Sequence, residues 1–274
     1  MMDLHIHSIY SDGFWTPREI VEDSIKKGLE IIAITDHDIL TGYEEALSYS
    51  KDALKVIPGI ELNTDGPQGE LHILGYQFDP QHPKLKDHVS WRVEDRVQWG
   101  KRIVEKLRNL GYDISFQNCL ARVGKGVLVR THIADELVSA GYFQNSKDAY
   151  EQLLKKGKAA FEERGSFSAE DAIKLIHKAG GLAFLAHPGI YKHEFQLQQL
   201  IDYGLDGIEV YHSKHSDKEQ NYWGRMAEAF NLLVSGGSDF HGPESRNPFP
   251  IGSVEIPHTQ RLPLLGGTRS LTEK

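Results

Sequence analysis

His5 and His7 stand two residues apart in Asp3-Leu-His-Ile-His7, and from Met2 to His7 apolar and polar residues alternate. Period-two alternation is the mark of a half-buried strand, and it puts both imidazoles on one face. Asp12 follows within Ser11-Asp-Gly13. Two imidazoles with a carboxylate close behind make half of a metal site, although taken alone they fit equally well a surface strand that carries two histidines. More groups of the same kind follow. Asp36 and His37, Glu61, His72, His187, Glu209 and His212, and Asp239 and His241 each end an apolar stretch or lie in its last turn. In parallel α/β folds the carboxyl ends of the strands share one rim, so this placement brings the groups together. Of the fourteen histidines only a minority fall elsewhere, among them His82, His88 and His177, which read as surface positions. Imidazole and carboxylate without thiolate suit Zn, Mn or Fe in a hydrolytic centre. The donors outnumber what one ion needs, which points to two or three ions sharing carboxylates about 3.5–4 Å apart.

The elements that must position these groups follow from hydrophobic pattern and caps. Pro17 and Glu19 open an amphipathic helix that stops at Gly28; Leu29 to Thr35 is a continuous apolar run and reads as a buried strand. A helix over 41–52, a strand over 54–60 and an alternating strand over 70–76 come next. This order predicts parallel strands with crossover helices. From about Lys84 to Arg164 the strand signal gives way to helices, over Trp91 to Asn109, Leu110 to Arg122, Thr131 to Ala140 and Ser146 to Lys155. The alternation then resumes: Ser168 caps a helix from Ala169 to Ala179, strands are expected at 182–186, 207–210 and 232–235, and helices near 194–203 and 217–230. The expected organisation is one α/β domain made of residues 1–83 and 167–274, interrupted by a helical domain over 84–166. The tail after Pro257 reads as peripheral.

Composition narrows the function classes. The 274 residues carry 31 Lys and Arg against 39 Asp and Glu, a net charge of −8 with no long basic stripe, which argues against a duplex DNA binder. Phosphates would have to be attracted locally. A single cysteine, Cys119, excludes an internal disulfide framework and thiolate-rich zinc modules, and reads as helix filler. No apolar run reaches the length of a membrane span, and charged residues and histidines begin at position 3, so a cytoplasmic protein without an export leader is expected.

Taken together, Asp3-Leu-His-Ile-His7 with Asp12, Thr35-Asp-His-Asp38, Gly59-Ile-Glu61, Leu185-Ala-His-Pro188 and Gly237-Ser-Asp-Phe-His-Gly242 resemble the motifs of the polymerase and histidinol phosphatase (PHP) superfamily of metal-dependent phosphoesterases. Ser11-Asp-Gly13, Leu71-His-Ile-Leu-Gly-Tyr76 and, in the helical insert, Arg130-Thr-His-Ile-Ala134 are most similar to its branch of bacterial nucleotide phosphatases and short-RNA exonucleases. The resemblance implies a distorted (β/α)7 barrel, the insert as a cap, and a trinuclear site. It implies His5, His7, Glu61 and Asp239 around a first ion, Asp12, His37 and His241 around a second, and Glu61 bridging to a third with His72 and His187. Some members carry His where this chain has Asp12, and a carboxylate there lowers the positive charge of the site. Asp36 and Asp38 would orient imidazoles from behind, with a helix N-cap an equal role for Asp38.

The expected chemistry is in-line attack on phosphorus by metal-activated hydroxide. Arg130 would fork onto a phosphate, and His132 and His212 would contact phosphate or give a proton to the leaving oxygen. The expected reaction is removal of the 3'-phosphate from a nucleoside 3',5'-bisphosphate. A 5'-3' exoribonuclease acting on short 5'-phosphorylated oligonucleotides would use the same site, with Trp91, Tyr112 or Tyr142 as stacking platforms. Metal-dependent C–N hydrolysis on a similar barrel typically uses a carbamylated Lys at a strand end, and none ends a strand here. A non-catalytic metal-bound scaffold would be expected to have lost ligands.

Overall fold

Short buried strands and capped helices alternate along most of the chain in the computed structural model, which describes residues 1–51, 53–65, 69–245 and 247–257. The first strand, β1 (Met2–Ile6), leads to α1 (Pro17–Lys26), where Thr16 and Glu19 form a reciprocal capping box and Pro17 takes the first helical position. Next come β2 (Ile31–Ile34), α2 (Thr41–Ser50), the two-residue β3 (Lys55–Val56), β4 (Gly59–Asp65) and β5 (Glu70–Tyr76). After the helical stretch, Ser168 caps α7 (Ala169–Lys178), and β6 (Leu182–Leu185), α8 (Leu197–Asp202), β7 (Gly207–His212), α9 (Asp217–Ala229) and β8 (Leu233–Gly237) complete the order.

The strands form two sheets, β1-β2-β3 and β4-β5-β6-β7-β8. Isolated parallel bridges link them, Ile6 to Phe240 on one side and His37 to Glu61 on the other. A continuous hydrogen-bonded barrel is not formed among the described residues. The expectation of uniformly parallel strands needs correction at β5, which runs antiparallel to both β4 and β6. Only four residues, Gly66 to Gly69, separate β4 from β5, too few for a crossover helix. As a result His72, near the start of β5, reaches the same rim as the ends of the parallel strands. Glu61 is likewise not at a strand end but third in the seven-residue β4.

The rim is held by close backbone approach. A side chain at Gly237 would meet the backbone nitrogen of His5 at 2.4 Å, so glycine is what lets β8 lie against β1. Asp3 crosses the same seam, its carboxylate accepting from the backbone N–H groups of Ser238 at 2.9 Å and Gly252 at 2.8 Å.

The helical stretch opens with α3 (Pro83–Asn109), eight residues earlier than Trp91, because Pro83 starts a helix as well as it ends one. Leu85 packs into the cluster formed by β4, β5, α7 and their neighbours, whereas Trp99, Ile103, Val104 and Leu107 belong to a separate apolar cluster with α4 (Phe116–Val123) and α5 (Arg130–Ser139). After α5 a short α6 (Ser146–Ala149) runs directly into a π-helical turn, Tyr150–Leu154. His88, expected at the surface, is buried against Trp91 and Phe167. No helix among the described residues is long and apolar enough to cross a membrane. The tail from residue 258 lies outside the described residues.

Cys119 packs inside the helical cluster, and burial pushes its thiol up to about 12. The thiolate is the reactive form, so at pH 8 the folded protein is expected to resist a thiol-specific chromogenic reagent and to release one equivalent of chromophore on unfolding. Fast labelling of the native protein would place Cys119 outside this core.

Candidate metal centre

Ten of the twelve residues singled out in the sequence for chemistry meet at the rim formed by β1, β4, β5, β7 and the segments after β2, β6 and β8. His5 Nε2 and His7 Nε2 lie 3.1 Å apart. Glu61 Oε2 is 3.3 Å from the first and 3.1 Å from the second, and Asp239 Oδ1 is 3.3 Å from both. Beside this group, Asp12 Oδ1 lies 3.2 Å from His241 Nε2, 3.6 Å from His7 Nδ1 and 3.7 Å from His37 Nε2. On the far side of Glu61, its Oε1 is 2.8 Å from His72 Nδ1 and 3.0 Å from His187 Nε2. His212 Nε2 lies 3.3 Å from Asp239 Oδ2.

Electrostatics explains why such a cluster needs a cation. Burial alone would raise the carboxyl groups of Asp12, Glu61 and Asp239, but the surrounding imidazoles hold all three well below the usual carboxylate range. Burial works to lower His7, and hydrogen bonds to Asp239 and Glu61 overcome it, raising that ring to about 10. His187 goes the other way, lowered by burial to about 4. Protonated imidazoles are thus one possible source of compensating charge, and a divalent ion is a better one. Tetrahedral coordination with bonds of about 2.0–2.1 Å puts neighbouring donors roughly 3.3–3.4 Å apart. Among His5, His7, Glu61 and Asp239, the five separations that involve a histidine fall between 3.1 and 3.3 Å, and His5, His7 and Glu61 close into one set of mutually near donors. The residues fit a metal centre.

Other buried groups set the donors. Glu209 is fully buried; it takes a hydrogen bond from His5 Nδ1 at 2.9 Å and another from the backbone N–H of His187 at 2.7 Å. That fixes the proton of His5 on Nδ1 and turns the lone pair of Nε2 into the cluster. In His212, Nδ1 accepts from the backbone N–H of Lys214 at 3.1 Å, so the neutral ring carries its proton on Nε2, facing Asp239. Among the described residues, three of the six non-glycine residues with positive φ are Asp38, His187 and Asp239, a concentration of backbone strain that marks functional sites.

The two supporting aspartates act differently from expectation. Asp36 touches no imidazole: it accepts from the backbone N–H of Ser8 at 2.7 Å and from the hydroxyls of Ser8 and Ser11, each at 2.6 Å. Ser11 in turn reaches His7 Nδ1 at 3.4 Å, so the orienting effect is indirect. Asp38 is neither a helix cap nor an imidazole partner, since Leu40 holds the cap position of α2. Its carboxylate pairs with Arg96 at 2.5 Å; burial raises its pKa, but Arg96 and Arg92 bring it down to about 2.

Arg130 opens α5, its guanidinium 5.3 Å from the ring centre of Trp99 and 5.0 Å from that of Phe161. With Asp12, His37 and His72 it lines a cavity of about 110 Å³ that also takes in Arg96 and Arg164. His132, one turn into α5, is bonded through Nδ1 to the backbone N–H of Val129 at 3.3 Å, and burial lowers its pKa against the pull of Asp12. Trp91, Tyr112 and Tyr142 are not among the residues lining the cavities beside the cluster; Tyr112 and Tyr142 pack on each other instead. The aromatic rings that do line them are Phe14, Trp99, Tyr150 and Phe161. Arg92 and Arg96, which the sequence reading passed over, had a visible signal. They share the helical stripe of Trp99 and Ile103, so two arginines sit on the buried face of α3.

An α/β scaffold that gathers imidazoles and carboxylates at one rim defines a metal-dependent hydrolase. The chain belongs to the PHP domain family, whose profile matches residues 3–209. It is 33% identical over 249 residues to the 5'-3' exoribonuclease Rnm of Salmonella typhimurium, covering 88% of this chain and 85% of that protein. To the 3',5'-nucleoside bisphosphate phosphatase of Chromobacterium violaceum it is 30% identical over 269 residues, covering 96% and 92%. A solved structure from Bifidobacterium adolescentis, described as a candidate metal-dependent phosphoesterase, superimposes with a TM-score of 0.87 at 30% identity, covering 96% of this chain and 95% of that one. The chain is a metal-dependent phosphoesterase.

Glu209→Gln would disturb the proton placement on His5 without changing its size. Metal affinity is expected to fall about 10- to 100-fold, read by competition with a chelator of known affinity. Unchanged affinity would remove Glu209 from the support of the centre.

Proposed function

We propose that this chain removes the 3'-phosphate from nucleoside 3',5'-bisphosphates. The observation that carries the reading is a cavity whose lining joins Asp12, His37 and His72 of the metal centre to Arg130, with Arg96 and Arg164 adding positive charge although they are paired to Asp38 and Glu70. Its volume of about 110 Å³ suits one phosphoryl group between metal donors and guanidinium groups. Past Arg130, Tyr150 and Arg164 it adjoins a wider cavity of about 290 Å³ that reaches Lys155 and Lys156, where a second phosphate would find positive charge. On the other side of Tyr150, a cavity of about 630 Å³ bordered by Asp12, His241 and Phe14 has room for a nucleoside. An exoribonuclease acting from the 5' end is the second reading. It is favoured by the Lys155 and Lys156 extension, which would follow a longer backbone, and by the relationship to Rnm.

In this reading His5, His7, Glu61 and Asp239, then Asp12, His37 and His241, and then Glu61, His72 and His187 would hold two or three ions of Mn, Fe or Zn. Bound there, they supply Lewis-acid charge to phosphoryl oxygens and lower the pKa of water. The chain's own residues do the rest. Arg130, packed against Trp99 and Phe161, presents a planar fork to phosphate oxygens. His212, with its proton on Nε2, and His132 are the groups that would contact phosphate or protonate the leaving oxygen. The same reading takes the strands as a distorted seven-membered barrel, with β3 and β4 as one bent strand, and residues 84–166 as a helical cap domain inserted between 1–83 and 167–274. It also places the enzyme in the cytoplasm with its nucleotide substrates.

The test is phosphate release from adenosine 3',5'-bisphosphate, beside AMP and a 5'-phosphorylated trinucleotide, with added Mn²⁺. Fast release from the bisphosphate with little from AMP is expected, and mononucleotides from the trinucleotide at a comparable rate would transfer the assignment to the exonuclease. Asp12→Ala and chelator treatment are each expected to reduce turnover to background, the latter reversed by Mn²⁺. Arg130→Ala is expected to raise KM for the bisphosphate about 10-fold or more.

A further inference from the structure

Asn63 is buried on β4 between an arginine and a histidine of the metal centre, and its two amide atoms face opposite ways. Arg96 Nη2 donates to Asn63 Oδ1 at 2.6 Å. A guanidinium has no acceptor, so the atom facing Arg96 must be the oxygen. The amide nitrogen therefore points at His72 Nε2, 2.8 Å away. An amide nitrogen only donates, so His72 Nε2 must accept, and the proton of the neutral ring sits on Nδ1. That proton faces Glu61 Oε1 at 2.8 Å. Polarity is thus passed in one direction, from guanidinium to amide to imidazole to the central carboxylate.

From this we infer that the Arg96–Asn63 pair sets the occupancy of the outermost metal position, between His72, His187 and Glu61, and keeps it the weakest of the centre. The inference rests on the metal reading given above. An ion at that position would have to take the lone pair of His72 Nδ1. The proton would then belong on Nε2, where it meets the N–H of Asn63, and two donors would face each other at hydrogen-bond distance. Arg96 opposes the amide flip that would relieve this, because it also holds Asp38 at 2.5 Å and the carbonyl of Leu128 at 3.1 Å and is itself fully buried. Glu70 offers little relief: its Oε1 is 3.5 Å from His72 Nε2 and already takes Arg164 and the Asn63 amide. Histidine ligands ordinarily donate their second nitrogen to a carboxylate or carbonyl. Here that partner is a donor, which makes Asn63 a positioning residue with a negative effect.

The sign of the effect gives the test. Asn63→Asp keeps the size and the acceptor for Arg96 but gives His72 Nε2 an acceptor as well. Mn²⁺ and Zn²⁺ stoichiometry and affinity would be measured by elemental analysis and chelator competition. The most weakly held ion is expected to bind about 10- to 100-fold more tightly in Asn63→Asp than in the wild type, a gain that His72→Ala abolishes in the same background. Equal or weaker binding in a folded Asn63→Asp protein would overturn the inference. A second measurement needs no substitution at Asn63: long-range ¹H–¹⁵N spectra of the metal-free wild type, with His72 assigned through His72→Ala. The Nδ1–H tautomer is expected, and the Nε2–H tautomer would overturn the relay. A wild type that binds no ion would remove the metal reading and the occupancy claim with it, while the tautomer would still decide the hydrogen-bond chain separately.

Discussion

Glu61 is the point on which the rest of the site depends. One buried carboxylate lies within 3.3 Å of nitrogen atoms from His5, His7, His37, His72 and His187, which come from four separate stretches of chain. A carboxylate out of water needs that many partners, or an ion among them, because the cost of an unpaired buried charge would exceed the margin by which a domain is stable. The two oxygens divide the work. Oε2 faces His5, His7 and His37, while Oε1 faces His72 and His187, so a single side chain separates and joins two donor groups.

Behind that layer lies a second one of carboxylates, each tied to backbone or arginine and so unavailable for ligation. Asp3 joins the β1 and β8 seam, Asp36 shapes the loop carrying Ser8 and Ser11, Asp38 is locked by Arg96, and Glu209 sets His5. Preorganisation of this kind is what keeps several like-charged groups in place before any ion or substrate arrives. It also bears on how an acidic chain can handle phosphate: part of the net charge of −8 is buried at the centre, where metal cations would offset it.

Much of this was legible in the sequence because the donors obey a simple rule of placement. Apolar runs ending in His, Asp or Glu identify the rim whether or not each strand is parallel, which is why His72 reaches it although β5 is antiparallel to both neighbours. The short loop before Glu70 was the missed clue, since four residues cannot carry a crossover. Two kinds of feature stayed hidden. The roles of Asp36 and Asp38 depend on partners about 25 and 58 residues away, and no local pattern specifies them. Residue type alone points to Tyr112 and Tyr142 as stacking surfaces, whereas the packing turns them toward each other.

The link between the metal rim and the helical stretch is a single rigid element. Helix α3 runs 27 residues, about 40 Å, with its first turns in the cluster around β4, β5 and α7 and its last turns in the helical cluster. Arg92 and Arg96 lie near its middle and pair with Asp38, one residue beyond His37. Trp99, one turn further along, supports the Arg130 guanidinium at 5.3 Å. The candidate metal rim and Arg130 are therefore referenced to one helix, and a buried ion pair stands between them. In the proposed reading, such a helix would hold Arg130 at a fixed distance from the metal centre. Discrimination among phosphate esters would then rest on the spacing between the metal centre and Arg130, and less on closure around whichever substrate arrives.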